Sequence, residues 1–287
     1  MEFLKVKHFI CTLIFFIQPF YSMEKALHES TIQPPLEIIA SNFLNKTDFI
    51  PTNVNFTTST KQLPPPTFGE SACYPEANGA SQYLIGYGSL MSTASKDRTY
   101  SNTGENVPVR IYGYSRLWNC KGVSVSYSTT YLGALLSANK SSYFNGVVFK
   151  LPSASAILDY DKRESFYCRE EVPMSKLQML APTRRLAAGQ YWIYVTRPEY
   201  DEFPTRTYPI VQSYVDTFLS GCFEMEEKFN IPGYADECIS TTEEWVSPWV
   251  NDRIFPRRPF MHQPNAGKID RLLNEKAPKA FRNIMIE

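Results

Sequence analysis

Histidine is scarce in this 287-residue sequence, which contains three: His8, His28 and His262. His8 and His28 fall in N-terminal segments that precede the predicted folded domain. A histidine-rich metal centre is therefore excluded, and a Ser–His or Cys–His dyad would depend on His262 alone. We expect no metal and no organic cofactor.

Other catalytic signatures are also missing. Ser89 follows an apolar run, but the nucleophile elbow of hydrolases needs glycine two residues before and after the serine. Tyr87 and Met91 occupy those positions. The sequence has no Walker-type or dinucleotide-binding glycine pattern. Carboxylate chemistry is what remains.

The sequence has no excess of charge of either sign. Lysine and arginine together number 29, aspartate and glutamate together also number 29, and the formal net charge is zero. No basic stripe and no acidic tail is present, so we expect no nucleic-acid partner.

Long apolar runs are missing except at the N-terminus. Lys5 and Lys7 precede an apolar core from Phe9 to Ile17, which is too short to span a bilayer comfortably. This pattern predicts a signal peptide over residues 1–22, with Ser22 before the cleavage site, and hence a periplasmic or secreted protein. The alternative is an uncleaved membrane anchor; beyond this segment we expect no stable membrane partner.

Five cysteines follow the predicted signal peptide: Cys73, Cys120, Cys168, Cys222 and Cys238. An odd number allows at most two disulfides and one remaining thiol. Cys222 and Cys238 form the favoured pair, because they flank a Pro-Gly turn; alternatively, all five are small buried hydrophobic residues. Glycosylation sequons begin at Asn45, Asn55 and Asn139 and have meaning only in a eukaryotic secretory pathway.

Composition divides the rest of the chain into three parts. Residues 23–80 are rich in Thr, Asn, Ser and Pro and predict a flexible leader. Residues 81–205 contain short runs rich in Val, Ile, Tyr and Phe, and one helix over Ala154 to Arg163 capped by Ser153. The predicted strands are Tyr83–Gly88, Val109–Trp118, Gly122–Tyr127, Leu132–Ser137, Gly146–Leu151, Phe166–Val172 and Gln190–Val195. This pattern predicts an α+β domain, a small mixed β-barrel with an inserted helix.

Residues 206–287 predict a helical C-terminal extension. Apolar residues between Ile210 and Phe229 recur at helical spacing, and a short amphipathic segment follows around Ile269. The sequence Ser240-Thr-Thr-Glu243 has the pattern of a capping box and predicts the start of another helix, which would contain Trp245.

Two motifs in the α+β domain carry possible chemistry. The first is Tyr87-Gly88-Ser89-Leu90, where a strand runs into a glycine turn. Glycine lets the backbone approach a ligand closely, and successive N–H groups at such a turn can bind an anion. The alternative is a tight turn with no ligand.

The second motif is Asp159-Tyr-Asp-Lys-Arg-Glu164, followed by Tyr167 and Arg169. Glu164 shares the inward stripe of the predicted helix with Ile157. A desolvated carboxylate there would have a raised pKa, suited to general acid/base work. The alternative is a solvated glutamate at the helix end, paired with Lys162 or Arg169.

The order and spacing of these motifs resemble the gamma-glutamylcyclotransferase family over roughly residues 82 to 200. The resemblance implies that Tyr87, Gly88, Ser89 and Leu90 hold a gamma-glutamyl group and that Glu164 is the acid/base. It also implies that Arg169 lines or braces the substrate pocket. Leu90 stands where many members have asparagine. The implied reaction releases 5-oxoproline and a free amine or peptide from a gamma-glutamyl substrate.

Two questions stay open at this point. The chain is either such an enzyme or a non-catalytic relative of the same fold that acts as a binding or effector protein. Arg253, Arg257 and Arg258 lie in a proline-rich segment. These arginines either grip a substrate carboxylate or bridge the C-terminal helices to the barrel.

Overall fold

The computed structural model of the protein describes residues 73–123, 128–257 and 265–286. The predicted signal peptide, most of the predicted leader, the sequons at Asn45 and Asn55, and His262 and Arg258 lie outside the described residues.

The described residues form a mixed α+β structure. Its strands are β1 (Gln82–Gly86), β2 (Val107–Tyr112), β3 (Tyr114–Gly122), β4 (Thr129–Leu136), β5 (Tyr143–Lys150), β6 (Tyr167–Glu171), β7 (Leu177–Met179), β8 (Gln190–Thr196), β9 (Ile210–Val211), β10 (Thr242–Glu243), β11 (Trp249–Asn251) and β12 (Met285–Ile286). Its helices are α1 (Thr93–Asp97), α2 (Ile157–Arg163), α3 (Gln212–Phe229), α4 (Tyr234–Ser240), α5 (Ala266–Lys276) and α6 (Pro278–Phe281).

The largest sheet has six strands in the order β6-β8-β1-β5-β2-β7. Strand β1 pairs parallel to β8 and antiparallel to β5, so it lies in the middle of the sheet. Strand β8 is buried along its whole length, which explains its nearly continuous apolar sequence. The C-terminal end of β1 therefore leads the chain from a buried position directly into the Tyr87–Leu90 motif.

The predicted small β-barrel is not observed in the described part of the chain. The six-stranded sheet is open, with β6 and β7 at its edges, and β3 and β4 form a separate sheet with β10. The reason lies at Gly113, which has φ +77° and donates its N–H to Ser142 O at 2.7 Å. Glycine adopts this left-handed conformation readily. It divides the run predicted as one strand, Val109–Trp118, into β2 and β3, which enter different sheets.

The helix predicted over Ala154 to Arg163 is present in two parts. A 3₁₀ turn at Ala154–Ala156 leads into α2, and the Ser153 hydroxyl accepts a hydrogen bond from Ala156 N–H at 3.3 Å, as expected of a cap. Helix α2 ends at Arg163, so Glu164 is its C-cap residue.

The predicted capping box at Ser240–Glu243 is wrong. Helix α4 ends there instead, and Thr242–Glu243 form β10 beside β3. The hydroxyls of Thr241 and Thr242 donate backwards to the carbonyl oxygens of Glu237 and Cys238, both at 2.6 Å. These bonds satisfy carbonyl groups at a helix C-terminus, whereas a capping box satisfies N–H groups at a helix start.

Helix α3 brings the C-terminal region against the motif loop. A Cβ added at Gly221 would lie 2.4 Å from the Met91 carbonyl carbon, so the missing side chain permits close packing there. The buried face of α3 joins the same apolar core as the sheet. The first turn of α3 also carries Tyr214 to the site described below.

Two disulfides link distant parts of the chain. The predicted Cys222–Cys238 pair is confirmed and joins α3 to α4. A second, Cys73–Cys168, ties the segment before β1 to β6, and Cys120 is a free, buried thiol. Two disulfides are compatible with an oxidising, exported compartment. None of the described helices is both long and apolar enough to cross a membrane.

Arg253 holds two helices of the C-terminal region together. Its guanidinium donates to both carboxylate oxygens of Asp216 in α3 and of Asp270 in α5, at 2.7 to 2.8 Å. Arg257 donates from its side chain to Ser128 O, just before β4. Arg253 therefore joins two C-terminal helices to each other, and Arg257 joins the C-terminal region to the chain before β4.

Candidate active site

One cavity brings the two sequence motifs together. It has about 290 Å³ of empty space, part of it open to solvent. Its described lining residues are Ile85, Tyr87, Gly88, Ser89, Leu90, Leu132, Glu164, Tyr167, Tyr194 and Tyr214. Glu164 is the one charged residue in this set. The lining is thus a single carboxylate within aromatic, aliphatic and small side chains.

The motif loop leaves the centre of the sheet and turns sharply. Tyr87 is buried and donates its hydroxyl to Tyr194 O at 2.5 Å, which fixes the start of the loop to β8. Residues Ser89–Met91 then form one 3₁₀ turn, closed by a bond from Met91 N–H to Gly88 O at 3.0 Å. The first N–H groups of a helical turn have no acceptor within it.

Gly88 cannot be exchanged for a larger residue without a clash. A Cβ there would lie 2.6 Å from the Tyr214 hydroxyl oxygen. The missing side chain of Gly88 therefore permits the close approach of the Tyr214 hydroxyl, and both residues line the cavity.

Glu164 stands at the opposite wall, between α2 and β6. Its N–H donates to Tyr160 O at 2.8 Å, and its carbonyl oxygen accepts from Tyr167 N–H at 2.9 Å. The backbone is therefore fixed on both sides of this residue. Its side chain is 15% exposed, so the carboxylate is largely withdrawn from water while it lines the cavity.

Arg163 connects the carboxylate to the motif loop. Its Nε lies 3.0 Å from Glu164 Oε1, and its Nη2 donates to Ser89 Oγ at 3.0 Å. The same guanidinium donates to Ser95 O at 2.8 Å and to Thr99 Oγ1 at 2.7 Å. One side chain thus joins α2, the loop and α1.

Three buried tyrosines form much of the wall. Burial raises the pKa of Tyr87, Tyr167 and Tyr194 well above the ordinary tyrosine value, and the nearby Glu164 carboxylate raises each pKa further. They are neutral near pH 7. Tyr167 donates to Leu132 O at 2.8 Å and Tyr194 donates to Asp161 Oδ1 at 2.7 Å. Each of these hydroxyl groups donates a hydrogen bond to another group of the protein, so the tyrosines maintain the shape of the cavity.

Arg169 does not line this cavity. It forms a buried ion pair with Asp161, at 2.9 and 2.7 Å to the two carboxylate oxygens, and donates to Pro75 O. Its guanidinium also lies over the Trp192 ring, 4.7 Å from the centroid. Burial raises the pKa of Asp161, and its contacts with Tyr194 and Arg169 oppose that shift. The carboxylate that pairs with Arg169 is Asp161 and not Glu164, so Arg169 supports the site without lining the cavity.

Three residues near or in the cavity could not be recognised as site residues from the sequence. Tyr214 belongs to an apolar helical stripe, and such a stripe predicts core packing equally well. Arg163 is a charged residue at a helix end, a common surface position. Leu132 lies in a strand of the second sheet, and only the tertiary fold brings it to the cavity.

Comparisons with known proteins give matches among solved structures. No family model and no curated protein matches the chain. One matching structure is an uncharacterized human protein, 15% identical with a TM-score of 0.43; the match covers 56% of this chain and 88% of that one.

A second matching structure is a gamma-glutamyl cyclotransferase, 15% identical with a TM-score of 0.42, again over 56% and 88% of the two chains. A third is a glutathione-specific gamma-glutamyl cyclotransferase from yeast, 13% identical with a TM-score of 0.34, over 56% and 97%. The matching solved structures thus include gamma-glutamyl cyclotransferases, at low identity and with partial coverage of this chain.

Proposed function

We propose that this protein is a gamma-glutamylcyclotransferase-type enzyme, which converts a gamma-glutamyl amine or peptide into 5-oxoproline and a free amine. The observation that carries the proposal is the cavity shared by Glu164 and the Tyr87–Leu90 loop. The two motifs lie far apart in sequence, and a structural turn and a solvated helix-end glutamate would have no reason to meet.

Glu164 is the acid/base in this proposal. The α-amine of the substrate attacks the γ-carbonyl carbon, and the Glu164 carboxylate takes the proton that the amine loses. The new carbon–nitrogen bond closes the five-membered ring. The original amide bond then breaks as Glu164 returns the proton to the departing nitrogen. Atoms and charges balance without an oxidant, a reductant or a water molecule.

The motif loop would bind the part of the substrate that becomes negative. The N–H groups of Ser89 and Leu90 begin a helical turn and have no acceptor within it. Such donors stabilise an oxyanion when they point to the place where the charge develops. We assign them to the γ-carbonyl oxygen or to the α-carboxylate of the substrate.

The cavity wall suits an intramolecular reaction. Amine and carbonyl belong to one substrate molecule, so the protein must mainly hold it in a folded-back conformation. The rigid tyrosine wall and the small volume restrict extended conformations. An apolar wall also limits water at the reacting carbon, which favours ring closure over hydrolysis.

Export belongs to this proposal as well. The predicted signal peptide and the two disulfides together favour action outside the cytosol, on gamma-glutamyl compounds of an oxidising compartment. Mass spectrometry of protein from the native host should find a mature N-terminus near Met23. An intact Met1 in a cytosolic fraction would contradict export.

The decisive experiment is product analysis with a panel of substrates. The protein is incubated with glutathione, a gamma-glutamyl amino acid and gamma-glutamyl-lysine, and 5-oxoproline and free amine are measured together. The α-linked isomers serve as controls, because ring closure in them cannot release the amine. Equal amounts of 5-oxoproline and amine support the enzyme. Binding without product identifies the alternative, a non-catalytic binding protein.

A further inference from the structure

A short loop connects β4 and β5 and lies beside the turn between β2 and β3. Ser137 N–H donates to Gly113 O at 3.0 Å, and Gly113 N–H donates to Ser142 O at 2.7 Å. Both ends of the loop are therefore attached to the turn between β2 and β3. Asn139, Lys140 and Ser141 lie at its outer end, and all three are exposed.

These three residues form an Asn-x-Ser sequon, the one that lies among the described residues. Lys140 occupies its middle position, which must not be proline. The side-chain Oδ1 of Asn139 accepts a hydrogen bond from Ser141 N–H at 3.0 Å. Asn139 N–H donates to Ser137 Oγ at 3.2 Å. The loop thus holds the first and third residues of the sequon close together on the surface, in an Asx turn. No acceptor for the Asn139 side-chain nitrogen is found among the described residues.

The surface beside this loop is open and partly apolar. A concave region of about 1030 Å³, open to solvent, is lined in part by Tyr112, Leu136 and Lys140. Leu136 is 61% exposed and Tyr143 is 37% exposed, and the Tyr143 ring packs beside that of Tyr112 at 5.4 Å. The region has room for a bulky polar group and contains apolar side chains that such a group would shield from water.

The disulfides of the chain favour a secretory compartment, where asparagine can be glycosylated. Cys73–Cys168 and Cys222–Cys238 are both disulfides, and stable disulfides form in secretory compartments. Asparagine glycosylation takes place in that compartment in eukaryotes. The exposed sequon and the disulfides are independent observations, and neither depends on the proposed enzyme activity.

We propose that Asn139 is an N-glycosylation site and that its glycan covers the concave surface beside Leu136 and Tyr143. The co-reactant is an oligosaccharide attached to a lipid pyrophosphate. The Asn139 amide nitrogen forms a bond to the sugar C1 while the bond from C1 to the pyrophosphate oxygen breaks. The lipid pyrophosphate leaves with the electron pair of the broken bond, and the proton that the nitrogen loses balances the negative charge that the pyrophosphate gains.

The full chain, expressed in a eukaryotic secretory cell line and collected from the medium, provides the test. Removing glycans with N-glycosidase in heavy-oxygen water labels every glycosylated asparagine as aspartate, and peptide mass spectrometry then locates the label. We expect the label at Asn139 in the unaltered protein. This measurement needs no variant, so a folding defect cannot obscure it.

Variants sharpen the assignment. Asn139→Gln and Ser141→Ala should each remove the glycan, whereas Ser141→Thr should keep it. Ser142→Ala is the matched control: Ser142 lies in the same loop and its hydroxyl contacts Ser137, but it is outside the sequon. Its occupancy should equal that of the unaltered protein.

Two results would overturn the proposal. One is secreted protein whose Asn139 peptide is unlabelled, whether or not Asn45 and Asn55 are labelled. The other is a chain that stays in the cytosol of the same cells and carries no glycan.

Discussion

Arg163 and Glu164 are neighbours in sequence and also form an ion pair, with Nε and Oε1 3.0 Å apart. The same guanidinium donates to Ser89 Oγ at 3.0 Å. The carboxylate and the motif loop are therefore attached to one rigid, planar group.

Glu164→Gln should lower 5-oxoproline release by about 10² to 10⁴, the usual loss for a general acid/base. The amide keeps the size of the side chain, so the folded state should survive, as checked by circular dichroism. Asp159→Asn is the matched control, because Asp159 lies on the same helix in an exposed pair with Lys162. Near-normal turnover in Glu164→Gln would end the proposed mechanism.

Arg163→Met should lower kcat more than it raises KM, because it releases the reacting carboxylate and the loop from their common support. A displacement of about 1 Å costs about 10²-fold in rate. Arg163→Lys should recover part of the loss, and Lys162→Met, an exposed neighbour, should have no effect. If Arg163→Met raises KM alone, the residue acts in binding and does not position Glu164.

Gly88→Ala should reduce turnover by about tenfold, since the new methyl group would displace the Tyr214 hydroxyl in the cavity wall and misplace the substrate. Steady-state kinetics on the two proteins measures the effect. Gly79→Ala is the control, because no atom lies within 4 Å of the added Cβ there. Equal activity of both variants would show that the loop does not approach the substrate.

Asp161→Asn should lower the free energy of unfolding by about 3–5 kcal/mol, because Arg169 would remain buried without its counter-ion. Urea denaturation measures this loss. Adding Arg169→Met should recover part of the stability, since the unpaired charge is then removed as well. If Asp161→Asn keeps full stability but loses turnover, Asp161 rather than Glu164 is the acid/base.

A chain that begins at residue 72 should keep the stability of the full chain, whereas one that begins at Ser81 should lose about 2–5 kcal/mol, the usual effect of removing a disulfide. The shorter chain also lacks the Pro75 carbonyl that accepts from Arg169 and the Asn78 N–H that donates to Gln190. Thermal unfolding of the pair measures the difference. Equal melting temperatures would mean that residues 73–80 contribute nothing to the folded domain.

The longer strands were predictable because their alternation of β-branched and aromatic residues is a local signal. Strands β9, β10 and β12 have two residues each, and their pairing depends on partners distant in sequence. The division of the strands between two sheets could not be predicted either, because Gly113 occupies a single position in a run that otherwise has the composition of one strand. Thr242 is a further case in which the sequence was misleading. Its hydroxyl caps the C-terminal end of α4, whereas the sequence Ser240–Glu243 has the pattern of a helix start.

The Tyr87–Leu90 loop and Glu164 could be proposed as site residues from the sequence, and the fold brings both to one cavity. The pairing of Arg169 with Asp161 could not be predicted, because several carboxylates lie within reach of it along the chain. Tyr214 lies in an apolar stripe of a helix, and periodicity does not distinguish a core position from a cavity wall.

The turn between α2 and β6 determines which sequence changes this site would tolerate. Tyr167 N–H bonds to Glu164 O and Glu164 N–H bonds to Tyr160 O, so the carboxylate is positioned by the last turn of α2 and by its distance from β6. An insertion or deletion among the exposed residues 153–155, before the helix, would leave the carboxylate in place. A change of a single residue between Glu164 and Tyr167 would move it out of the cavity. Distant relatives with the same chemistry should therefore vary in the length of the segment before this helix and keep the three-residue step from the glutamate to the strand.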